Sequence, residues 1–185
     1  IRPDLSISLL VLEMTEPPHP DSVRDIGSGA LTLMDGLAAK DVNVLLAQHI
    51  TAAVLETARR RLGDRTAPVA WLVADTATVS HLTLSFERWR LRTALEFPAN
   101  DVEVTRCINV AAMALSDAGH VIVVSFAPDG PIRGRGPSIK RWSAASIAEQ
   151  MTRSFGLDRG DCELHSTPWG PVQVTAYVLQ RTAVP

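Results

Sequence analysis

Long apolar runs, excess charge of one sign and cysteine are all scarce in this chain, and each shortage closes off a class of function. No apolar run reaches the roughly 20 residues that a membrane span needs. Lys and Arg number 18 against 20 Asp and Glu, a net charge of −2. That balance leaves no electrostatic footprint for nucleic acid and no basic patch for a membrane surface. The only two cysteines, Cys107 and Cys162, stand far apart and fit no metal-ligand spacing. No metal site is therefore expected, and two isolated thiols suit a reducing, cytoplasmic setting. There is no signal peptide. The chain also lacks an initiator Met and opens at Ile1, so the native N-terminus is expected to be missing. No internal repeat or linker divides it, and residues 1–185 are expected to form a single domain.

What is present is a globular composition, with 46% hydrophobic and 21% charged residues over 185 positions, enough for a sizeable core. Residues 4–14 predict a short helix on the sheet, ended by Pro17, Pro18 and Pro20. A first strand at 23–26 breaks at Gly27 and Gly29, and a helix follows over 30–40, with Leu31, Met34, Leu37 and Ala38 at helical spacing. The run 42–47, apolar but for Asn43, reads as a strand buried on both faces. Thr51 is placed to cap a helix through Leu62, closed by Gly63. Residues 69–74 form a third strand ending at Asp75, and 86–91 a fourth despite Glu87, Arg88 and Arg90. Periodicity predicts a helix over 101–115 ended by Ala118-Gly119, a strand at 120–126, a long loop over 128–137 and a helix over 143–155. Two closing runs, 161–166 and 172–179, predict an antiparallel pair. Alternating strands and helices imply right-handed crossovers and an α/β, Rossmann-like, doubly wound sheet with helices on both faces. Ligands of such sheets bind beyond the carboxyl ends of the strands. Those ends are residues 25–29, 48–49, 75–76, 90–92 and 126–129.

The glycine turn is the centre of this pattern. Gly27 and Gly29 let the backbone turn sharply and let a ligand lie against it. The helix that follows offers unpaired N–H groups at the same corner. Further motifs are Thr51-Ala-Ala-Val-Leu with Arg59-Arg-Arg-Leu-Gly63, Trp71-Leu-Val-Ala-Asp75, the run from Gly119 to Pro131, and His165-Ser-Thr-Pro-Trp-Gly-Pro-Val-Gln173.

With Asp25-Ile-Gly-Ser-Gly-Ala30, these segments resemble the class I S-adenosylmethionine-dependent methyltransferases, most of all a small bacterial subgroup, from about Pro3 to the end. The resemblance implies seven strands, the last antiparallel, and S-adenosyl-L-methionine as cofactor. It implies cofactor contacts at Asp25, Gly27, Gly29, His49, Ile50, Asp75, Thr76, Trp89 and Arg90, and a substrate side at Arg92, Arg135 and His165. No residue is assigned as catalytic.

Several motifs are degenerate. Where the family has an acid holding both ribose hydroxyls, the ungapped register gives His49. A carboxylate accepts two hydrogen bonds from a diol and a neutral imidazole only one, so cofactor binding is expected to be weak or lost. The family's Trp-His-Asp-Arg-Ala is here Trp89-Arg90-Leu91-Arg92-Thr93, and its Cys-Ser-Gly is Gly134-Arg135-Gly136. The family's N-terminal cover helix is expected to be absent. Arg88, Arg90 and Arg92 share one face of the fourth strand. Arg88 needs a carboxylate partner, whereas Arg90 and Arg92 are expected to reach solvent or an acidic ligand. Three readings stay open: a methyltransferase acting on a small-molecule or protein acceptor, a non-catalytic regulatory or scaffold protein, or the same fold used for another reaction. An oligomer is compatible with each.

Overall fold

The computed structural model describes residues 22–27, 33–38, 42–66, 69–76, 78–79, 85–92, 94–97, 100–132, 138–167 and 170–182. The elements in chain order are β1 (Ser22–Ile26), α1 (Leu33–Ala38), β2 (Val44–His49), α2 (Ala52–Leu62), β3 (Val69–Val73), β4 (Phe86–Arg92), α3 (Asp101–Ala114), β5 (Leu115–Phe126), α4 (Ala144–Met151), β6 (Phe155–Thr167) and β7 (Gly170–Arg181). The strands form one seven-stranded sheet in the order β3-β2-β1-β4-β5-β7-β6. Only β7 runs against the others, pairing antiparallel with both β5 and β6. The expected doubly wound sheet with an antiparallel last strand is therefore the fold.

Two apolar layers enclose the sheet. Leu33, Met34 and Leu37 of α1 and Leu55 and Leu62 of α2 pack with Val23, Leu45, Ala47, Ile122 and Val178. On the other face Val104, Ile108 and Ala111 of α3 and Ile147 and Met151 of α4 pack with Leu46, Trp89, Leu91, Val121 and Leu179. Residues in register share a face, which assigns each β4 side chain to one layer. Trp89, opposite Arg24 and Val121, joins the α3–α4 layer. Arg88 and Arg90, opposite Val23 and Asp25, lie on the α1–α2 side.

This corrects the expected role of Arg90, which is fully buried rather than open to solvent. Its Nη1 donates to Asp25 Oδ1 at 2.6 Å, with side-chain exposures of 1% and 0%. A charge this deep in a sheet is tolerable only when paired. Arg88 is also buried and donates to its neighbour's carbonyl, Glu87 O, at 3.0 Å.

Element boundaries differ from expectation in three places. The helix of 101–114 passes directly into β5 at Leu115, and Ala118-Gly119 forms an irregularity within that strand rather than the helix stop. Ala118 there has φ +67°, and a Cβ on Gly119 would meet Ser116 O at 2.9 Å. α4 ends at Met151, so Phe155 opens β6 instead of closing the helix. Ser143 caps α4 in a reciprocal capping box with Ser146. Both closing strands are longer than their apolar cores. β7 leaves β5 at the Val174–Phe126 pair, while β6 and β7 stay paired out to Thr167 and Gly170. A two-stranded ribbon thus stands past the carboxyl end of β5. The helix expected at 4–14, Gly29 and Arg135 fall outside the described residues.

Candidate ligand site at the carboxyl ends of the strands

β1 ends where Gly27 turns with φ +73°, a left-handed conformation that only glycine adopts without cost. Its N–H donates to Gln48 O at 2.9 Å, which holds the turn against the end of β2. Ala74 N–H in turn donates to His49 O at 3.2 Å, which holds the end of β3 on β2. Beyond it the Asp75 carbonyl accepts from the N–H groups of Thr78 and Val79 and closes a turn.

A cavity of about 360 Å³ opens among these ends. Ile26 and Gly27, His49 and Ile50, and Ala74, Asp75 and Thr76 form one side. Arg92 at the end of β4 and Ala94 and Phe97 after it, with Glu103 and Cys107 one helical turn apart on α3, form the other. The cavity therefore sits where the chain order reverses between β1 and β4, the switch point of a doubly wound sheet. Ile50 and Phe97 at its walls are 66% and 44% exposed, an apolar surface for a flat ligand group.

The polar groups of the wall have assigned directions. His49 Nδ1 accepts from Thr51 N–H at 2.9 Å, so the neutral ring carries its proton on Nε2. Burial lowers the imidazole below its ordinary pKa and keeps it neutral at neutral pH. His49 thus presents a donor, not the acceptor pair of a carboxylate. Thr76 is buried, and its Oγ1 accepts from Gln48 Nε2 at 3.2 Å. Cys107 sits in a low-polarity wall where burial pushes the thiol up to about 11, so it is inert as a nucleophile.

The turn after β4 is braced from behind. Trp142 Nε1 donates to Leu95 O at 3.0 Å, and Lys140 N–H to Glu96 O at 2.9 Å. The Glu96 carboxylate accepts from Phe126 N–H at 2.8 Å, which ties the turn to the end of β5. Glu96 Oε2 is buried with no hydrogen-bond partner among the described residues. Burial pushes this carboxyl up to about 7, against the opposing influence of Phe126 N–H, Ser125 and Arg92.

Of the residues singled out in the sequence, Gly27, His49, Ile50, Asp75, Thr76 and Arg92 meet on this cavity. Asp25, Trp89 and Arg90 do not line it. All three are fully buried, with Asp25 and Arg90 paired beneath it and Trp89 in the α3–α4 layer. His165 lies in the β6–β7 ribbon opposite Val172, at the same end of the sheet. Sequence reasoning missed Glu103 and Cys107, whose i,i+4 spacing on a predicted helix was available as a signal. It also missed Glu96, for which the signal was one acidic residue between apolar neighbours, and it placed Gln48 at a strand end without its buried partners. Among the described residues no cluster of His, Cys, Asp or Glu is arranged to hold a metal ion, and no helix is long and apolar enough to cross a membrane.

No family model matches the sequence, and no curated protein matches it. Solved structures do match in shape. The N-methyltransferase NodS from Bradyrhizobium japonicum WM9, in complex with S-adenosyl-L-homocysteine, superposes with a TM-score of 0.78 at 15% identity, covering 95% of this chain and 85% of that one. A 1,6-didemethyltoxoflavin-N1-methyltransferase from Burkholderia thailandensis, with 1,6-didemethyltoxoflavin and S-adenosylhomocysteine bound, gives 0.73 at 15% identity over 95% and 77%. An S-adenosylmethionine-dependent methyltransferase from Mesorhizobium loti gives 0.71 at 15% identity over 94% and 96%. The chain therefore shares the fold of these methyltransferases.

Proposed function

We propose that the chain binds S-adenosyl-L-methionine in the switch-point cavity and transfers its methyl group to an acceptor, a small molecule or a protein. The observation that carries this reading is the convergence of the Gly27 turn and the ends of β2 and β3 on one cavity, in a fold shared with methyltransferases that hold S-adenosylhomocysteine. The residues fit the group in three respects. Gly27 leaves the backbone open to close approach, Ile50 and Phe97 offer apolar surface, and His49, Thr76 and Asp75 supply donors and an acceptor. When bound, the cofactor supplies an electrophilic methyl on a sulfonium. The chain's own part is to orient the two reactants and exclude water, which is most of what such a transfer requires. His49 has Nδ1 occupied by Thr51 N–H and so serves as a donor rather than a proton acceptor. The reading takes the protein as a cytoplasmic single domain without a nucleic-acid or membrane partner.

A second reading, a non-catalytic member of the fold, is favoured by His49, which lines the cavity as a single donor rather than as the acceptor pair of a carboxylate. Calorimetric titration with S-adenosylhomocysteine separates the two. Wild type should bind, and Gly27→Val, which forces a branched side chain into φ +73°, should lose at least tenfold. Equal binding by both proteins would place the site elsewhere. No wild-type binding at millimolar ligand would leave the non-catalytic reading.

A further inference from the structure

Behind the cavity wall a buried polar chain crosses three strands. Arg24 of β1 is 0% exposed, and its guanidinium stacks 4.1 Å from the centre of the Trp89 ring. Its Nε donates to Gln48 Oε1 at 3.1 Å, and its Nη2 donates to the same oxygen. Gln48, also 0% exposed, passes the contact on. Its Nε2 donates to Ala74 O at 3.1 Å and to Thr76 Oγ1 at 3.2 Å. Both atoms it reaches belong to the turn that carries Asp75 on the cavity wall.

The chemistry fixes every direction in this chain. A guanidinium can only donate, so Gln48 must turn its carbonyl oxygen toward Arg24. Burial lowers Arg24 only to about 10, so it is cationic and a donor at neutral pH. With the oxygen committed, the Gln48 amide must point its N–H groups at the β3 turn. Thr76 Oγ1 then accepts, and the hydroxyl hydrogen must point away from Gln48. Among the described residues that hydrogen has no acceptor, and the side chain borders the cavity.

We propose that Arg24 and Gln48 are positioning residues that hold the 74–76 turn and fix Thr76 as a hydrogen-bond donor, so that the site selects a ligand with an acceptor atom at the end of β3. This rests on the S-adenosyl reading for the identity of the ligand, and on the hydrogen-bond geometry for the relay. An unsubstituted purine edge, with its ring nitrogens, supplies such an acceptor. An apolar pair at positions 24 and 48 would pack the same space without desolvating a charge, so stability alone does not account for the relay.

The test uses variants that separate polarity from packing. Gln48→Glu keeps a partner for Arg24 but has no N–H to give. It repels Ala74 O and draws the Thr76 proton inward. Its melting temperature should stay close to wild type, because a carboxylate meets a guanidinium, while affinity for S-adenosylhomocysteine falls about tenfold. Thr76→Val should lose a similar factor and Thr76→Ser should restore it. Gln48→Glu combined with Thr76→Val should bind no worse than the weaker single variant, since both remove one donor. Wild-type affinity in Thr76→Val, or a Gln48→Glu loss that only tracks reduced stability, overturns the proposal. Hydrogen exchange in the ligand-free proteins gives an independent reading. Gln48→Glu should speed exchange of the Thr78 and Val79 amides, which bond to Asp75 O, and unchanged exchange overturns the relay. If wild type fails to bind S-adenosylhomocysteine while exchange responds as expected, the S-adenosyl reading and the donor's assigned ligand fall and the positioning of the turn stands.

Discussion

Glu96→Gln should stabilise the protein more strongly as pH rises. The wild-type carboxyl is lifted from 4.5 to about 7 by burial. A carboxyl raised on folding holds its proton more tightly in the folded chain. Its contribution is therefore fully present below pH 4.5 and is lost as pH climbs through about 7. At about 1.4 kcal/mol for each pH unit between the two values, ionisation costs roughly 1 kcal/mol at pH 5 and roughly 3 kcal/mol at pH 8. Glutamine keeps an oxygen for Phe126 N–H but has no charge to desolvate. Its amide N–H groups replace the unpartnered Oε2, which takes back on the order of 1 kcal/mol at every pH. The diagnostic quantity is thus the growth of the gain, about 2 kcal/mol between pH 5 and pH 8. In a chain of this size that corresponds to roughly 4–8 °C in Tm. Denaturant titrations of both proteins at pH 5, 6, 7 and 8 measure it. His120 supplies a built-in control of opposite sign. Burial and neighbouring Arg88 lower its imidazole to about 4, so its contribution is present above 6.5 and lost as pH falls through about 4. In wild type the two slopes oppose each other between 4.5 and 6.5. In Glu96→Gln only the His120 slope remains, and stability should fall on acidification across that window. A stability gain that is the same at pH 5 and pH 8 would refute the burial argument for Glu96.

Two further outcomes follow from the site and its foundation. His49→Asp should tighten S-adenosylhomocysteine binding by roughly 1–2 kcal/mol, because a carboxylate can accept from ligand hydroxyls while still accepting from Thr51 N–H. Unchanged affinity in calorimetry would mean that residue 49 does not meet the ribose. Arg90→Met should cost about 3–5 kcal/mol by stranding the Asp25 carboxylate in the sheet, and adding Asp25→Leu should recover much of it in denaturant melts. Additive losses in the double variant would show that the pair does not act as a unit.

Much of the sheet was legible because local pattern and tertiary role agree. The runs at 42–47, 69–74 and 120–126 are apolar but for Asn43, His120 and Ser125, and each became a strand, with β2 shifted by two residues and β5 starting five residues earlier, at Leu115. The glycine turn was legible because Gly27 stands between a strand and a helix. α3 ends within one residue of its expected end, but the start of β5 was misplaced because Ala118-Gly119 looks like a helix stop, whereas that left-handed residue lies in an irregularity inside β5. Arg90 was misplaced for a different reason. Strand periodicity assigns a face but not a depth, and only the β1–β4 register brings Asp25 within reach. Gln48, Thr76 and Glu96 gain their roles from partners 24 to 30 residues away in sequence, which no local window contains.

The ribbon made by the outer parts of β6 and β7 has a consequence for how this fold can diversify. Past the Val174–Phe126 pair these strands, among the described residues, bond only to each other, so their length is uncoupled from the register of the sheet. One residue added to each strand moves the tip outward and reverses which side chains face which way, while two added to each preserve the alternation. Neither change displaces a residue of β5 or of the packed layers. Because the ribbon rises from the same end of the sheet as the cavity, the surface at that end can lengthen, shorten or invert without renegotiating the core.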